Sequence, residues 1–289
     1  MSSADAPRML EARLGAAKAY RTRHGTMIAP PRDAYVGRSL ELYGEYCPAE
    51  AAALAQLIRP GMTVVEVGGN LGSHTVAMAR ACAPGPLYVF EPQQRLFQML
   101  CANLVLNGVT NVIACADAVG AAEGAAQMPA LDYEAGGNFG GMVLQAAGRQ
   151  QGPLSVRVRT LDSLGLVACD LIKVDVEGWE EGVLRGAAAT IARFRPLLYV
   201  ENDRPSSQQA LVDLVDQLGY EMWWHTPLLY DPNNFNGEAR NIFPGVASLN
   251  MFCTPKEKGV GVQGLTKVDP RNIDPPLRAP PRSGGQDQA

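Results

Sequence analysis

The stretch Val64–Thr75, which reads VVEVGGNLGSHT, decides the fold of this 289-residue chain. It begins with a short apolar run that contains one acid and continues with three glycines around an asparagine. This pattern predicts a buried β-strand that stops at a tight turn. In doubly wound sheets, ligands bind beyond the carboxyl ends of the strands, where a glycine-rich turn lets the backbone come close to them. We therefore expect a small-molecule site at Gly68, Gly69 and Gly72.

Apolar runs of strand length alternate with helical patterns along most of the chain. The strand-like runs are MTVVEV, LYVFE, VTNVIAC, DLIKVD and PLLYVEN. The helical patterns include RLFQMLCANLVLNG and the segment Trp179–Arg193, and a further helix, SSQQALVDLVDQLG, precedes the last strands YEMWW and ASLNMFCTP. The alternation predicts an α/β fold, in which a doubly wound and mostly parallel sheet is covered on both faces.

The composition divides the chain into three parts. Residues 1–47 form a helical or irregular extension, with an amphipathic segment near Pro7–Tyr20, and residues 48–255 form the α/β domain. Within that domain, residues 119–160 are an insertion of hairpin and loop, because SVRVRT alternates with period two and GGNFGG cannot lie inside a helix. The Pro- and Gly-rich residues 256–289 are expected to be a disordered tail.

Charge and hydropathy exclude several classes of partner. The formal net charge is −4 and the basic residues are scattered, so we expect no nucleic-acid partner. No run of about 18 apolar residues and no apolar leader is present, so we expect no membrane partner. The six cysteines are far apart and are expected to be reduced thiols, which indicates a cytoplasmic protein. The oligomeric state is left open.

The glycine turn does not fit two common phosphate-binding motifs. It lacks both G-x-G-x-x-G and the G-K-[ST] of a phosphate-binding loop. Glu66, at the end of the strand, would repel a diphosphate and favour a cation. Glu91 ends the next strand, where an acid can accept hydrogen bonds from a ribose diol. The two acids together predict a site for a cationic nucleoside.

Four stretches resemble one known family. They are EVGGNLG, FEP, TLDSL from Thr160 and, most specifically, DLIKVDVEG from Asp170. In these stretches the chain resembles the FkbM family of S-adenosylmethionine-dependent methyltransferases, from about Tyr35 to Pro255. The resemblance implies the class I methyltransferase fold, a Rossmann-like sheet of seven strands whose last strand is antiparallel, here preceded by the helical extension. It also implies S-adenosylmethionine (SAM) as cofactor.

The resemblance also implies the cofactor-binding residues. The turn would surround the methionyl part, Glu91 would hold the ribose, and two residues after the third parallel strand would lie beside the adenine. The implied set is Glu66, Gly68, Gly69, Asn70, Gly72, Glu91, Asp117 and Ala118. The family commonly has Asp at the position of Glu66 and Ala at that of Gly69, and both departures are mild.

Two acids after the fourth parallel strand are the candidate catalytic residues. If the extended geometry continues, Asp175 and Glu177 lie on one side of the chain and can take the proton of an acceptor hydroxyl. Alternatively, they anchor the loop and cap the next helix. Lys173 alternates with them and is interpreted as an ion-pair partner. Asp175 with Glu201 and Asn202 could also bind Mg²⁺ through oxygen ligands; the alternative is that Asn202 belongs to the turn before Arg204-Pro205.

The acceptor is expected to contact the variable segments. Candidates are Asn138 and Phe139 in GGNFGG, Glu201 and Asn202 at a strand end, and His225 in the aromatic, amide-rich stretch from residue 223 to 237. The same residue types are also common in ordinary loops. The most consistent hypothesis is O-methylation of a hydroxyl on a carbohydrate or secondary metabolite, with a small molecule or glycan as partner. Alternatives are an N-methyltransferase of a small molecule or peptide, a non-catalytic cofactor-binding module and, third, a nicotinamide oxidoreductase.

Overall fold

The computed structural model of the chain describes residues 17–143, the backbone of residues 145 and 146, and residues 154–276. The strands are β1 (Lys18–Thr22), β2 (Gly25–Ala29), β3 (Val64–Val67), β4 (Leu87–Phe90), β5 (Val112–Cys115), β6 (Ala118–Val119), β7 (Gly124–Met128), β8 (Gln145–Ala146), β9 (Leu154–Arg159), β10 (Leu171–Val174), β11 (Leu197–Glu201), β12 (Tyr220–His225), β13 (Asn250–Pro255) and β14 (Thr266–Lys267). The α-helices are α1 (Val36–Tyr43), α2 (Pro48–Leu57), α3 (Thr75–Cys82), α4 (Gln94–Leu106), α5 (Glu180–Arg185), α6 (Ala188–Phe194) and α7 (Gln208–Gln217). Within these described residues, no helix has the length and apolar character that crossing a bilayer requires.

The central sheet has the spatial order β14-β12-β13-β11-β10-β3-β4-β5. Neighbouring strands from β11 to β5 are parallel, whereas β13 is antiparallel to both β11 and β12. Apart from the edge strand β14, this is the sheet of seven strands with an antiparallel last strand that the sequence predicted. The class I methyltransferase fold is therefore confirmed.

Strand β3 lies at the centre of the core. All four of its residues are buried, and it pairs in parallel with β4 on one side and with β10 on the other. Val65 and Val67 pack into one hydrophobic cluster and Val64 packs into another. A strand that is covered on both faces needs apolar side chains in both directions, which explains the continuous β-branched run. Glu66 is the exception, and a buried carboxylate requires polar partners.

The N-terminal extension differs from the prediction. Pro7–Ala16 lie outside the described residues, and the expected helix does not continue to Tyr20, because β1 and β2 form an antiparallel hairpin. The side chain of Asn103 on α4 bonds both backbone polar groups of Ile28, with N–O distances of 2.6 and 3.0 Å, and so fixes the hairpin on that helix. These partners are distant in sequence, so local periodicity does not reveal them.

Helix α1 forms within residues 1–47, which the sequence predicted to be helical or irregular. Val36, Leu40 and Tyr43 are all buried. They are spaced by four and three residues, so they share one face of the helix. The structure thus places a regular helix immediately before the α/β domain.

The residues after β13 also differ from the prediction of a disordered tail. Thr266 and Lys267 pair with the strand β12. The Nζ atom of Lys267 donates to Glu221 over 2.7 Å, and Val268 is 3% exposed. This part of the tail is ordered because it covers the edge of the sheet; residues 277–289 lie outside the described residues.

The insertion between β5 and β10 forms a second, small sheet in the order β6-β9-β7-β8. Strands β7 and β9 are antiparallel, and β9 is the SVRVR stretch. The segment after β10 is not one helix from Trp179 to Arg193 but two, α5 and α6. Gly186 lies between them, and a Cβ atom there would lie 2.0 Å from the carbonyl oxygen of Gly120, so the close approach of the small sheet separates the helices.

Candidate active site

The carboxyl ends of the central strands surround two adjoining cavities. The larger encloses about 800 Å³ and the smaller about 490 Å³. Both cavities share the lining residues Gly68, Glu91, Gly140, Asp175 and Glu177. The edge of the sheet that the sequence predicted as a small-molecule site is therefore concave.

The glycine turn after β3 requires its glycines for two different reasons. Gly68 and Gly72 have φ values of +89°, which residues with a Cβ atom rarely adopt. A Cβ atom on Gly68 would in addition lie 1.8 Å from the carbonyl oxygen of Asp175. Gly69 is limited by space alone, since a Cβ atom there would lie 2.3 Å from Val89 Cγ2. The structure places Gly68, Gly69 and Asn70 against the larger cavity, whereas Gly72 shapes the turn behind it.

Glu66 is 1% exposed and lines the larger cavity. The hydroxyl of Thr75 donates a hydrogen bond to its carboxylate over 2.6 Å, and Lys173 Nζ lies 3.9 Å away. Burial raises the pKa of Glu66 to about 7, because the nearby ammonium of Lys173 compensates for only part of the lost hydration. Glu66 can therefore gain or lose a proton near neutral pH.

Glu91 lies between the two cavities and is 5% exposed. Its two carboxylate oxygens accept one backbone hydrogen bond each, from Asn70 N and Gln93 N, both over 2.8 Å. These bonds fix the orientation of the carboxylate and leave each oxygen a further lone pair for a ligand. Burial raises the pKa of Glu91 to about 7, although the two N–H donors act in the opposite direction.

Asp117 and Ala118 line the smaller cavity, together with Trp179. The Asp117 carboxylate lies 3.7 Å from Arg159 Nη1. Sequence reasoning missed Trp179 because it was interpreted as part of a helix face. An aromatic residue directly after a strand-end glycine was the signal that could have identified it.

Asp175 and Glu177 line both cavities, but the strand does not continue through them. Glu177 has a φ of +54°, so the chain turns there. The side chain of Asp175 is 34% exposed, and its carboxylate accepts a hydrogen bond from Lys173 over 3.2 Å. Burial alone would raise the pKa of Asp175, but the adjacent ammonium outweighs burial and lowers it. Glu177 forms an ion pair with Arg204.

The magnesium ligand set predicted from the sequence assembles only in part: the side chains of Asp175 and Glu201 are in hydrogen-bonding contact, but Asn202 does not join them. The side-chain amide of Asn202 is buried and points to Met251 Sδ at 3.5 Å, and Asn202 lines neither cavity. Instead, Glu177, Glu201 and Asp203, here called the acidic trio, have ligand atoms within 4.8 Å of one another. The guanidinium of Arg204 pairs with Glu177 and lies 3.4 Å from Asp203, so a positive charge is already present at the trio.

The predicted acceptor-binding residues are only partly brought together. Asn138 and Glu201 line the larger cavity. Phe139 is 3% exposed, packs on Tyr133 with a centroid distance of 4.5 Å, and lines neither cavity. His225 also lies outside both cavities, where its Nδ1 atom is 2.8 Å from the hydroxyl of Tyr199. Phe139 and His225 were expected to contact the acceptor, but they instead pack against or bond other side chains of the protein.

Several residues of the larger cavity come from segments that gave no functional signal in the sequence. They form a wall opposite the acids and are contributed by α1, the segment before α2 and the long connection between β12 and β13. The set is Tyr35, Val36, Tyr46, Leu229, Val246, Ala247 and Ser248. Only tertiary folding brings these distant segments together.

Comparisons with known proteins place the chain in a family. The family model described as the methyltransferase FkbM domain matches residues 66–222, which is more than half of the chain. No curated protein matches the chain significantly.

Solved structures with a similar fold include three different methyltransferases. A precorrin-6y C5,15-methyltransferase from Geobacter metallireducens GS-15 is 10% identical, with 72% of this chain and 88% of that chain covered and a TM-score of 0.45. The methyltransferase FkbM from Methylobacillus flagellatus KT is 16% identical, with 71% and 50% covered and a TM-score of 0.44, so this chain spans half the length of that one. An rRNA methylase from Streptococcus thermophilus is 14% identical, with 72% and 95% covered and a TM-score of 0.43. Such distant similarities do not select an acceptor, but the family match is decisive: the chain belongs to the FkbM methyltransferase domain family and is an S-adenosylmethionine-dependent methyltransferase.

Proposed function

We propose that this methyltransferase transfers the methyl group of SAM to a hydroxyl of a carbohydrate or secondary metabolite in the larger cavity. The observation that carries the proposal is the position of Asp175. Its carboxylate is ionised, partly exposed and held by Lys173 in a cavity that adjoins the glycine turn. A hydroxyl acceptor needs such a group for its proton.

The cofactor site proposed here runs through both cavities. The adenine would occupy the smaller cavity beside Asp117, Ala118 and Trp179, and the ribose would bond Glu91. The methionyl part would lie along the glycine turn and Glu66. The described residues fit this ligand because Glu91 is already oriented by two backbone donors and because Gly68 and Gly69 line the larger cavity without side chains.

When bound, SAM supplies an activated methyl group on a sulfonium, so the protein mainly aligns the acceptor and excludes water. Asp175 would accept the hydrogen bond of the attacking hydroxyl. Because its pKa is low, Asp175 remains ionised at neutral pH; it can take the proton once the new C–O bond has made the hydroxyl strongly acidic. Glu177 is less suited to this step since its charge is paired with Arg204, and we assign it to positioning of the acceptor and the loop.

The walls of the larger cavity support an uncharged, hydroxylated acceptor. Tyr35 and Tyr46 offer aromatic surface, while Asn138, Ser248 and Glu201 offer hydrogen-bonding groups. A few polar groups within a partly apolar cavity are typical of small-molecule sites. The same carboxylates would repel the phosphates of a nucleic acid, which supports a small molecule or glycan as partner.

The test is transfer of a radiolabelled methyl group from SAM to a panel of sugars, aminosugars and polyols. With an acceptor in hand, we expect Asp175→Asn to lower the transfer rate by about 100-fold or more, while the affinity for the uncharged product S-adenosylhomocysteine changes by less than about threefold. Asp213→Asn, on the exposed face of α7, is the matched control and should keep the wild-type rate.

Three outcomes would contradict the proposal. Full activity of Asp175→Asn would exclude Asp175 as the base. Label recovered on nitrogen would replace O-methylation with the N-methyltransferase alternative. Binding of SAM without transfer to any acceptor in the panel would favour the non-catalytic module.

A further inference from the structure

Glu50 is a buried acid that lies outside the matched family domain, yet its carboxylate lies close to two residues that line the larger cavity. It belongs to the first turn of α2 and is 2% exposed. Its Oε1 atom lies 3.5 Å from His74 Nδ1 and 3.9 Å from Lys173 Nζ. Among the described residues, no group donates a hydrogen bond to this oxygen, and the other carboxylate oxygen accepts only a long one, from Asn250 Nδ2 over 3.5 Å.

Lys173 is the cation that Glu50 faces, and it is shared by three acids. Its side chain is 2% exposed, and its Nζ atom lies 3.2 Å from Asp175, 3.9 Å from Glu66 and 3.9 Å from Glu50. One ammonium therefore faces three carboxylates below the larger cavity. Because Lys173, Glu50 and Glu66 are buried, solvent and salt screen their charges only weakly.

The other groups around this network do not restore neutrality. Burial lowers the pKa of His74, so its imidazole is uncharged near neutral pH. Thr75 contributes a neutral hydroxyl, and Glu91 adds another acid. Among the described residues that line the larger cavity, Lys173 is the only lysine or arginine. The floor of the cavity therefore carries an excess of negative charge.

We propose that Glu50 is a specificity-determining residue. Together, Glu50, Glu66 and Asp175 outweigh the positive charge of Lys173, and the remaining negative charge makes the site prefer SAM to S-adenosylhomocysteine (SAH). The inference rests on the proposed position of the cofactor at the glycine turn. SAM carries a sulfonium where SAH has an uncharged thioether, so the two ligands differ by one methyl group and one positive charge. A negatively charged floor stabilises the sulfonium and has little effect on the thioether.

The expected size follows from Coulomb's law. If the separation is taken as roughly 8 Å and the effective dielectric constant as about 20, one net negative charge corresponds to about a 30-fold change in affinity for a cation. Selectivity of this size reduces inhibition by the product, because SAH formed by methyl transfer is displaced by fresh SAM. Glu50 would thus favour turnover without touching the acceptor.

The test is calorimetric titration of SAM and SAH, at pH 8, into the wild type, Glu50→Gln and the control Glu181→Gln, whose acid pairs with Arg185 on the surface. We expect the wild type and the control to bind SAM about 10-fold or more tighter than SAH. Glu50→Gln should lower the affinity for SAM about 10-fold or more and change the affinity for SAH by less than about threefold. A purely structural role would weaken both ligands together, and that outcome, like an unchanged ratio, would overturn the inference.

A comparison in the wild type keeps the test decisive if Glu50→Gln does not fold. Sinefungin has an amine in place of the sulfonium methyl group and is a cation of similar shape. Its affinity should be closer to that of SAM than to that of SAH. An affinity equal to that of SAH would contradict a charge effect. If the wild type binds none of the three ligands, the proposed cofactor site itself is wrong. If it binds all three with equal affinity, only the inference about charge selectivity is wrong.

Discussion

Replacement of Glu91 by alanine tests the proposed cofactor site at its best-defined point. In the folded chain the Glu91 carboxylate accepts backbone hydrogen bonds from Asn70 and Gln93 over 2.8 Å each. These two bonds hold it between the cavities, where it is expected to bond both ribose hydroxyls.

The magnitude follows from the number of bonds that are lost. A hydrogen bond to a charged group contributes about 1.5–3 kcal/mol, so two such bonds correspond to at least about 3 kcal/mol, or more than about 100-fold in affinity. The measurement is calorimetric titration of SAH at pH 8, where a carboxyl with a pKa of about 7 is mostly ionised. Alanine also leaves two backbone N–H groups without their acceptor, and each costs about 1–3 kcal/mol of folding stability. Urea unfolding must therefore show that the variant is folded.

A second ligand separates binding of the ribose from damage to the turn. The wild type should bind SAH much more tightly than its 2′-deoxy analogue, whereas Glu91→Ala should bind the two analogues about equally. The reasoning would be refuted by a folded Glu91→Ala variant that binds SAH within about threefold of the wild type.

Three further outcomes follow from the structure. Gly68→Ala would place a Cβ atom 1.8 Å from the carbonyl oxygen of Asp175, on a backbone with a φ of +89°. This variant should lose SAM binding in calorimetry, and its free energy of unfolding should fall by about 2 kcal/mol or more. Unchanged binding would show that the turn adapts. Burial raises the pKa of Glu66 and Glu91 from the usual 4.5 to about 7, so their stabilising contribution is complete below about pH 4.5 and is lost as the pH rises through about 7. In urea unfolding, the wild type should therefore lose stability relative to a variant with glutamine at both positions between pH 5 and 8, and a difference that is constant or grows with pH would contradict the assignment. EDTA should leave SAM affinity and methyl transfer unchanged, because the guanidinium of Arg204 already compensates the acidic trio; loss of activity that Mg²⁺ restores would revive the metal hypothesis.

The sequence predicts those parts of the molecule that depend on local chemistry. Val64–Val67 is continuously apolar because its strand is covered on both faces, and Gly68 is required by a backbone conformation that other residues rarely adopt. Glu91 and Asp175 follow strands whose carboxyl ends meet at one edge of the sheet, so their proximity follows from topology. These residues account for the predicted sheet and for the core of the candidate site.

The features that the sequence did not predict depend on partners far along the chain. Tyr20 lies in a strand because the hairpin is held by Asn103, and Asn202 turns inward to Met251. Trp179 faces the smaller cavity and packs against Ala118, Ala126 and Val158 of the small sheet, which lie at least 21 residues earlier in the chain. Glu50 is more than one hundred residues from Lys173 in sequence, so no spacing pattern links them. Periodicity describes which face of an element is buried, but not which distant group it meets.

A crystal structure of the protein with SAH tests the central claim most directly. In that complex, the ribose hydroxyls should lie within about 2.6–3.0 Å of the Glu91 carboxylate, the adenine should lie in the smaller cavity beside Asp117 and Trp179, and the sulfur should face Asp175 across the larger cavity. SAH bound elsewhere, or bound with its ribose away from Glu91, would contradict the account.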